Sequence, residues 1–273
     1  MSAGNLAELV ETLERDAFVD MYRAAPVGLA AATGLEVAER GGTALLSLAA
    51  VPDPLFNRAF GLGIAAPATE DDLDAILAHY ARVGAARWWL QPSPAARPDR
   101  LAAWLAARGL APVQRIWAKF AHGGGPQPAA ETDLRVEEVG PDRAGDFAGA
   151  AQRGFGAPPP FQAWLAALVG RPGWHCYCAY DGAQPVAAGA LLLSADGAWL
   201  GIGATVPEAR RRGAQSALLA RRVADARAHG AQAIVTETGQ PLPGEPGPSY
   251  ANIGRAGFRI VHLRPNLALA GYA

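Results

Sequence analysis

The sequence predicts an α+β fold built as two tandem parts, each a mixed, mostly antiparallel sheet flanked by helices, and three observations carry that prediction. Helix-like and strand-like runs follow one order (helix, meander, helix, strand, helix, strand), and after the middle of the chain the same order returns. Between the halves, Ala121–Pro128 holds three glycines and two prolines without apolar periodicity, as an exposed linker would. Short glycine patterns also recur at matching points: Gly61-x-Gly63 then Pro67 against Gly201-x-Gly203 then Pro207, and Arg108-Gly109-Leu110 against Ala256-Gly257-Phe258. Two alanine-rich domains sharing glycines by chance is the competing account, and the matched order favours the repeat. The expected boundaries are a domain over 1–122, a linker over 123–131 and a second domain over 132–273.

In the first half, Leu6, Leu9, Val10 and Leu13 recur at i, i+3, i+4 and i+7, the mark of a helix with one buried face. Strands are predicted at Leu35–Ala38, Thr43–Ala49 and Arg58–Ile64, with Gly41-Gly42 and Pro52-Asp53-Pro54 as turns. A helix over Asp71–Val83, a strand over Arg87–Leu90, a helix over Asp99–Ala107 and a strand over Gln114–Phe120 complete it. The second half reads as strand Leu134–Val139, helices within Asp142–Leu168, strands Trp174–Tyr180, Val186–Leu193 and Ala198–Val206, helix Gly213–His229 and strand Ala233–Glu237. A helix near Ser249–Arg255 and a strand at Phe258–Leu263 close it.

Composition narrows the function. With 273 residues, 51% hydrophobic and 18% charged, the chain can bury sizeable cores. A formal net charge of -1 gives none of the electrostatic excess of a nucleic-acid binder, so no nucleic-acid partner is expected. Met1–Asp16 carries Glu8, Glu11 and Glu14 and lacks a basic segment leading into an apolar run, so it is not read as a signal peptide, and a cytoplasmic protein is expected. Val186–Val206 is apolar, but Ser194-Ala195-Asp196-Gly197 interrupts it, which fits a hairpin and no membrane span. Cys176 and Cys178 fall on one face of a strand, awkward for a mutual disulfide, and are expected to be reduced. His79, His122, His175, His229 and His262 lack metal-ligand spacing, so no metal is expected. The nucleophile elbow of serine hydrolases and the phosphate loop of NTPases are both missing.

The chemistry concentrates in Val206–Leu219, where a strand passes through Arg210-Arg211-Arg212-Gly213 into a helix. Free N–H groups and the dipole at a helix N-terminus favour an anion, and a glycine there lets a ligand approach the backbone. Arginines beside that end are electrostatically misplaced unless an anion neutralises them. Leu219, Val223 and Ala226 give the helix a face with which to anchor on the sheet. The first half instead has Thr69 followed by Glu70, Asp71 and Asp72 at the corresponding point, which should repel a phosphate.

Val206-x-x-x-Arg210-x-x-Gly213 before an alanine- and leucine-rich helix resembles the acetyl-CoA-binding motif of GNAT-type N-acetyltransferases. Ser249-x-x-Asn252 and Ala256-Gly257-Phe258 resemble the closing helix and strand of that superfamily. The resemblance spans roughly Leu134–Leu269 and is fainter over the first half, which looks like a degenerate copy without the cofactor site. It implies that backbone groups of Ala204, Thr205 and Val206 pair with a pantetheine arm. It also implies that Arg211, Arg212, Gly213, Ala214, Gln215 and Ser216 cradle a pyrophosphate, and that Asn252 contacts the thiol end. Gln215 stands where the family has a small residue, and Ile253 where many relatives place a general-acid tyrosine, leaving Tyr250 as the substitute.

The reaction so implied is direct attack of a primary amine, small molecule or peptide, on acetyl-CoA or another acyl-CoA bound at the same time. The ammonium must lose a proton and the thiolate must be stabilised. Glu237 at a strand end is the candidate base, with a plain surface carboxylate as the equal alternative, and Glu208 stands second. Phe155, Phe161 and Trp164 either shape an acceptor pocket or pack a core. The alternative function is a non-catalytic acyl-CoA sensor or interaction module, which the missing tyrosine favours. The assembly is expected to be a monomer or a homodimer.

Overall fold

The computed structural model describes residues 3–125 and 130–271. In chain order the helices are α1 (Ala3–Arg23), α2 (Val27–Thr33), α3 (Glu70–Val83), α4 (Leu101–Ala107), α5 (Ala144–Phe155), α6 (Phe161–Ala166), α7 (Ala214–Ala228) and α8 (Pro248–Arg255). The strands of the first half are β1 (Leu35–Arg40), β2 (Thr43–Leu48), β3 (Arg58–Phe60), β4 (Trp89–Gln91) and β5 (Leu110–His122). Those of the second are β6 (Arg135–Glu138), β7 (Trp174–Asp181), β8 (Gln184–Leu193), β9 (Ala198–Thr205), β10 (Ile234–Gly239) and β11 (Phe258–Leu269). The chain divides into two compact units, one of Met1–Arg23, Val27–Lys119 and Val261–Ala273, the other of Ala24–Pro26 and Phe120–Ile260. The change-over between the units falls at Lys119/Phe120, and of the expected linker over 123–131 residues 126–129 lie outside the described residues. The last strand, placed with the second half by its sequence, contributes residues 261–269 to the first unit. No helix among the described residues is long and apolar enough to cross a membrane.

In the first unit the strands run β1-β2-β3-β4-β11-β5. The meander is antiparallel, with Leu35 opposite Leu48 and Arg40 opposite Thr43 across the Gly41-Gly42 turn. β3 then lies parallel to β4, and β4 antiparallel to β11. α3 seats Leu73, Ile76 and Tyr80 in the core, where the Tyr80 ring stacks on Trp88 at 4.2 Å. Its N-terminus is closed by a capping box: Thr69 Oγ1 accepts from Asp72 N, and Asp72 accepts from Thr69 N. Thr69→Ala is expected to cost about 1 kcal/mol, read as a lower denaturant midpoint at unchanged slope. β3 is shorter than the predicted Arg58–Ile64 because Gly61 (φ 89) and Gly63 (φ 76) turn the chain. α2, absent from the sequence reading, buries no residue and so has no apolar stripe to announce it.

The largest departure from the sequence lies in α1. Val10, Leu13 and Ala17 are buried as its periodicity requires, but so are Glu11 (0% exposed) and Glu14 (1%). Arg264 on β11 donates to Glu11 (2.7 Å), to both oxygens of Glu14 (2.8 Å each) and to Gln91 (3.0 Å), and Lys119 on β5 also binds Glu14. His262 bonds Glu11 at 2.7 Å, and Asn266 links Gln91 to the Arg115 carbonyl. The charges balance inside the unit, as buried ions must.

In the second unit β6, β7, β8 and β9 are antiparallel in sequence order, and β10 adds to β9 in parallel. The predicted hairpin closes with Leu193 opposite Ala198 and Ser194 N donating to Gly197 O at 2.9 Å. α5 buries Phe147, Ala148 and Ala151 and packs on β8 and β9, while α7 buries Leu218, Leu219, Val223 and Ala226. Cys176 and Cys178 are buried free thiols, and burial pushes both up, Cys178 to about 12, so neither ionises at neutral pH.

Candidate active site

A wedge opens in the second unit where two parallel strands part. β9 and β10 pair only from Ala198/Ile234 to Leu200/Thr236, although β9 runs on to Thr205 and β10 to Gly239. Thr236 Oγ1 donates to Leu200 O at 2.8 Å and closes the apex. The parting has a local cause. Ala190 lies opposite Gly201 but Ala188 opposite Ala204, so Gly189 of β8 faces two residues of β9, Ile202 and Gly203. This bulge bends the strand, and Ile202 adopts φ 53, costly for a β-branched residue.

Past the wedge, β9 continues through a 3-10 turn, Pro207–Ala209, into Arg210–Gly213 and α7. Arg211 (φ 67) and Gly213 (φ 78) are both left-handed, a backbone that turns successive N–H groups outward, and no side chain caps α7. Ala217 N to Gly213 O is the first bond of the helix, so the N–H groups of Ala214, Gln215 and Ser216 have no partner within it. The loop is held from behind by Thr132 Oγ1, which donates to Arg212 O at 2.7 Å.

The three arginines differ in role. Arg212 forms ion pairs with Asp133 and Asp181, and its hydrogen bonds hold both carboxyls below the usual carboxylate range. Arg210 Nε contacts Thr205 O at 3.4 Å. Arg211 is exposed and forms no hydrogen bond or ion pair among the described residues, which leaves it as the available cation. Of the backbone groups expected in the wedge, the Val206 N–H already donates to Val186 O at 2.9 Å, whereas Ala204 and Thr205 lie on the stretch of β9 that β10 has left.

At the other side stands α8. Asn252 Nδ2 donates to Gln215 Oε1 at 2.5 Å and its Oδ1 accepts from Arg255, so both ends of the Asn252 amide are engaged and the first turn of α7 is tied to α8. The Gln215 side chain, out of place by the family pattern, serves this tie. Ile253 is buried, and the Tyr250 ring packs edge-on against Phe120 at 5.4 Å. Glu237 is half-buried on β10, one residue past the last pair with β9, while Glu208 is exposed in the 3-10 turn. Phe161 and Trp164 are buried against each other as core, but Phe155 is 55% exposed at the end of α5. The residue that sequence reasoning missed is Arg222 of α7, buried under the bulge. Its signal was Gly189, whose missing side chain leaves it room.

The first unit repeats the parallel pair but fills the place beside it. After β3, Gly63 O accepts from Arg97 N (2.9 Å), Arg97 O accepts from Ala68 N (2.8 Å) and Arg97 Nη2 donates to Ile64 O (2.8 Å). The N-terminus of α3 is already capped and carries three carboxylates.

Residues 137–239, from β6 to the end of β10, match the acetyltransferase (GNAT) domain family. Among curated proteins, none matches the chain. A GCN5-related N-acetyltransferase from Kribbella flavida is 18% identical with a TM-score of 0.58, covering 96% of this chain and 96% of its own. A GCN5-related N-acetyltransferase from Sphaerobacter thermophilus is 18% identical with a TM-score of 0.55, over 71% of this chain and 64% of its own length. A putative GNAT-family acetyltransferase from Novosphingobium aromaticivorans is 17% identical with a TM-score of 0.54, over 85% and 89%. At these identities the likeness is one of fold. The matched region holds the wedge, the bulge and the start of α7.

Proposed function

We propose that the chain is an N-acyltransferase that moves an acetyl or other short acyl group from acyl-CoA to a primary amine. The observation that supports this most is the parting of β9 and β10 after Leu200/Thr236, followed directly by a helix N-terminus without a side-chain cap beside Arg211, which has no partner among the described residues. An extended arm fits between strands whose backbone groups are left unpaired, and a diphosphate fits outward N–H groups beside a cation. In the transfer, the amine nitrogen adds to the thioester carbonyl carbon, the C–S bond breaks, and the proton lost by nitrogen balances the proton gained by the thiolate. Glu237, one residue past the last pair of β9 with β10, is the proposed acceptor of the first proton, and Tyr250 on α8 the proposed donor of the second. The first unit, its corresponding edge filled by Arg97 and its helix end acidic, is proposed to be a degenerate copy in a tandem arrangement.

Isothermal titration with acetyl-CoA tests the site. Wild type is expected to bind, and Arg211→Ala to weaken binding about tenfold, the loss of one charge-assisted contact. No binding by wild type would sink the reading. Release of CoA thiol with a panel of amines then separates a transferase from a non-catalytic acyl-CoA sensor, which would bind and release nothing.

A further inference from the structure

Arg222 is 2% exposed on the sheet-facing stripe of α7, between Leu218 and Ala226. It forms no ion pair among the described residues. Its donors go to main-chain carbonyls alone: Nε to Leu218 O, and Nη1 to both Ala190 O and Gly201 O, each at 3.0 Å. Burial lowers it to about 10, so it stays charged at neutral pH. A buried cation without a carboxylate is costly, and an apolar residue would suit the stripe better, so packing gives no reason for it.

The acceptors supply a reason. Ala190 and Gly201 are the last facing pair before the bulge, the place where the ladder between β8 and β9 fails and carbonyls need another donor. One guanidinium nitrogen bridges both strands there. One glycine beside it is shaped to the same group: a Cβ at Gly189 would lie 2.8 Å from Arg222 Cζ, whereas the Cβ position of Gly203 lies 3.8 Å from Nη2, an ordinary contact that shows how near the guanidinium comes to that part of β9. Gly203 is itself exposed on β9 beyond the last pair with β10. The guanidinium therefore lies close to the backbone of β9 at Gly203, on the stretch that β10 has left.

We infer that Arg222 is a positioning residue of the acyl site, which pins the bulge that parts β9 from β10 and holds a fixed positive charge behind the edge where a thioester carbonyl would lie. The inference rests on the N-acyltransferase reading. Addition of the amine puts negative charge on the thioester oxygen, and a preorganised cation in a water-poor setting favours that charge over the neutral ground state. Its effect belongs to kcat rather than to binding of the CoA portion, which depends on residues 211–216.

Arg222→Met and Arg222→Lys test this, with melting temperature, affinity for free CoA and steady-state thiol release measured on each. Arg222→Met is expected to lower kcat about 100-fold while CoA affinity stays within about twofold, and Arg222→Lys, which keeps the charge but not the fork, to recover part of the loss. A merely structural residue would lower melting temperature, CoA affinity and kcat together, and that pattern would overturn the inference. So would wild-type kcat in both variants. Should Arg222→Met not fold, Arg222→Lys alone decides, because wild-type kcat in it overturns the need for the two-carbonyl bridge. If wild type binds no CoA, the acyltransferase reading falls with the catalytic half of the inference. The pinning half is then read by amide exchange at Gly201–Gly203, expected to quicken in Arg222→Met, with equal exchange overturning it.

Discussion

Arg264→Met is expected to destabilise the first unit by about 3–5 kcal/mol, the effect of removing one partner from a buried, hydrogen-bonded ion cluster. The guanidinium is fully buried and supplies four of the contacts that hold Glu11, Glu14 and Gln91. Methionine matches its stem but removes a guanidinium from two buried carboxylates, of which Glu14 keeps its ion pair with Lys119. Acid should reveal the mechanism. Burial alone would raise the Glu11 carboxyl, but Arg264, the hydrogen bond from His262 and Lys119 together hold it below its ordinary value. Its folded pKa lies under the unfolded one, so it contributes stability above about pH 4.5 that is lost as pH falls through the folded value. Without Arg264 the largest influence lowering the Glu11 carboxyl is gone, so this contribution shrinks. The gap between wild type and Arg264→Met should thus be widest near neutrality and narrow toward pH 4. Urea unfolding at several pH values reads it, and a gap that does not vary with pH would mean that the loss is one of packing.

That cluster marks where the sequence stopped being legible. Periodicity identified the strands and long helices, because an apolar face facing one core leaves a pattern within a single element. A carboxylate such as Glu11 follows the same helical spacing whether it meets water or Arg264, and its partner lies 253 positions away. Arg222 hid for the same reason, as a cation inside an otherwise ordinary helix stripe. The turn into α7 was readable because its pattern is local: glycine, arginines and a helix start, within a few residues. The wedge was not readable: Gly201-x-Gly203 stood only as an echo of Gly61-x-Gly63, and that β10 leaves β9 after only three pairs is a matter of register between strands. The division of labour among the three arginines was not readable, since Asp133 and Asp181, which hold Arg212, approach it only in the folded unit.

Gly213→Ala is the sharpest probe of the proposed diphosphate site, and two independent costs meet in it. At φ 78 an alanine incurs about 1 kcal/mol or more of left-handed strain. Its Cβ would also fall 2.1 Å from the carbonyl oxygen of Glu131, a main-chain atom that cannot swing aside as a side-chain tip would. Either 131–132 or the turn into α7 must move. Because Thr132 grips Arg212 O, displacing either one drags the N–H groups of residues 214–216 out of line. Acetyl-CoA affinity is expected to fall about 100-fold or more, equivalent to about 2.7 kcal/mol. Gly230, just beyond the far end of the same helix, supplies the control: at φ 79 it has the same left-handed backbone, yet nothing lies within 4 Å of the position its Cβ would take. Gly230→Ala should therefore show the strain as a loss of stability of about 1 kcal/mol with acetyl-CoA affinity intact. If Gly213→Ala bound acetyl-CoA as wild type does, the start of α7 would not be where the diphosphate is held; if Gly230→Ala lost affinity equally, the effect at Gly213 would be a general weakening of α7 rather than damage to a site.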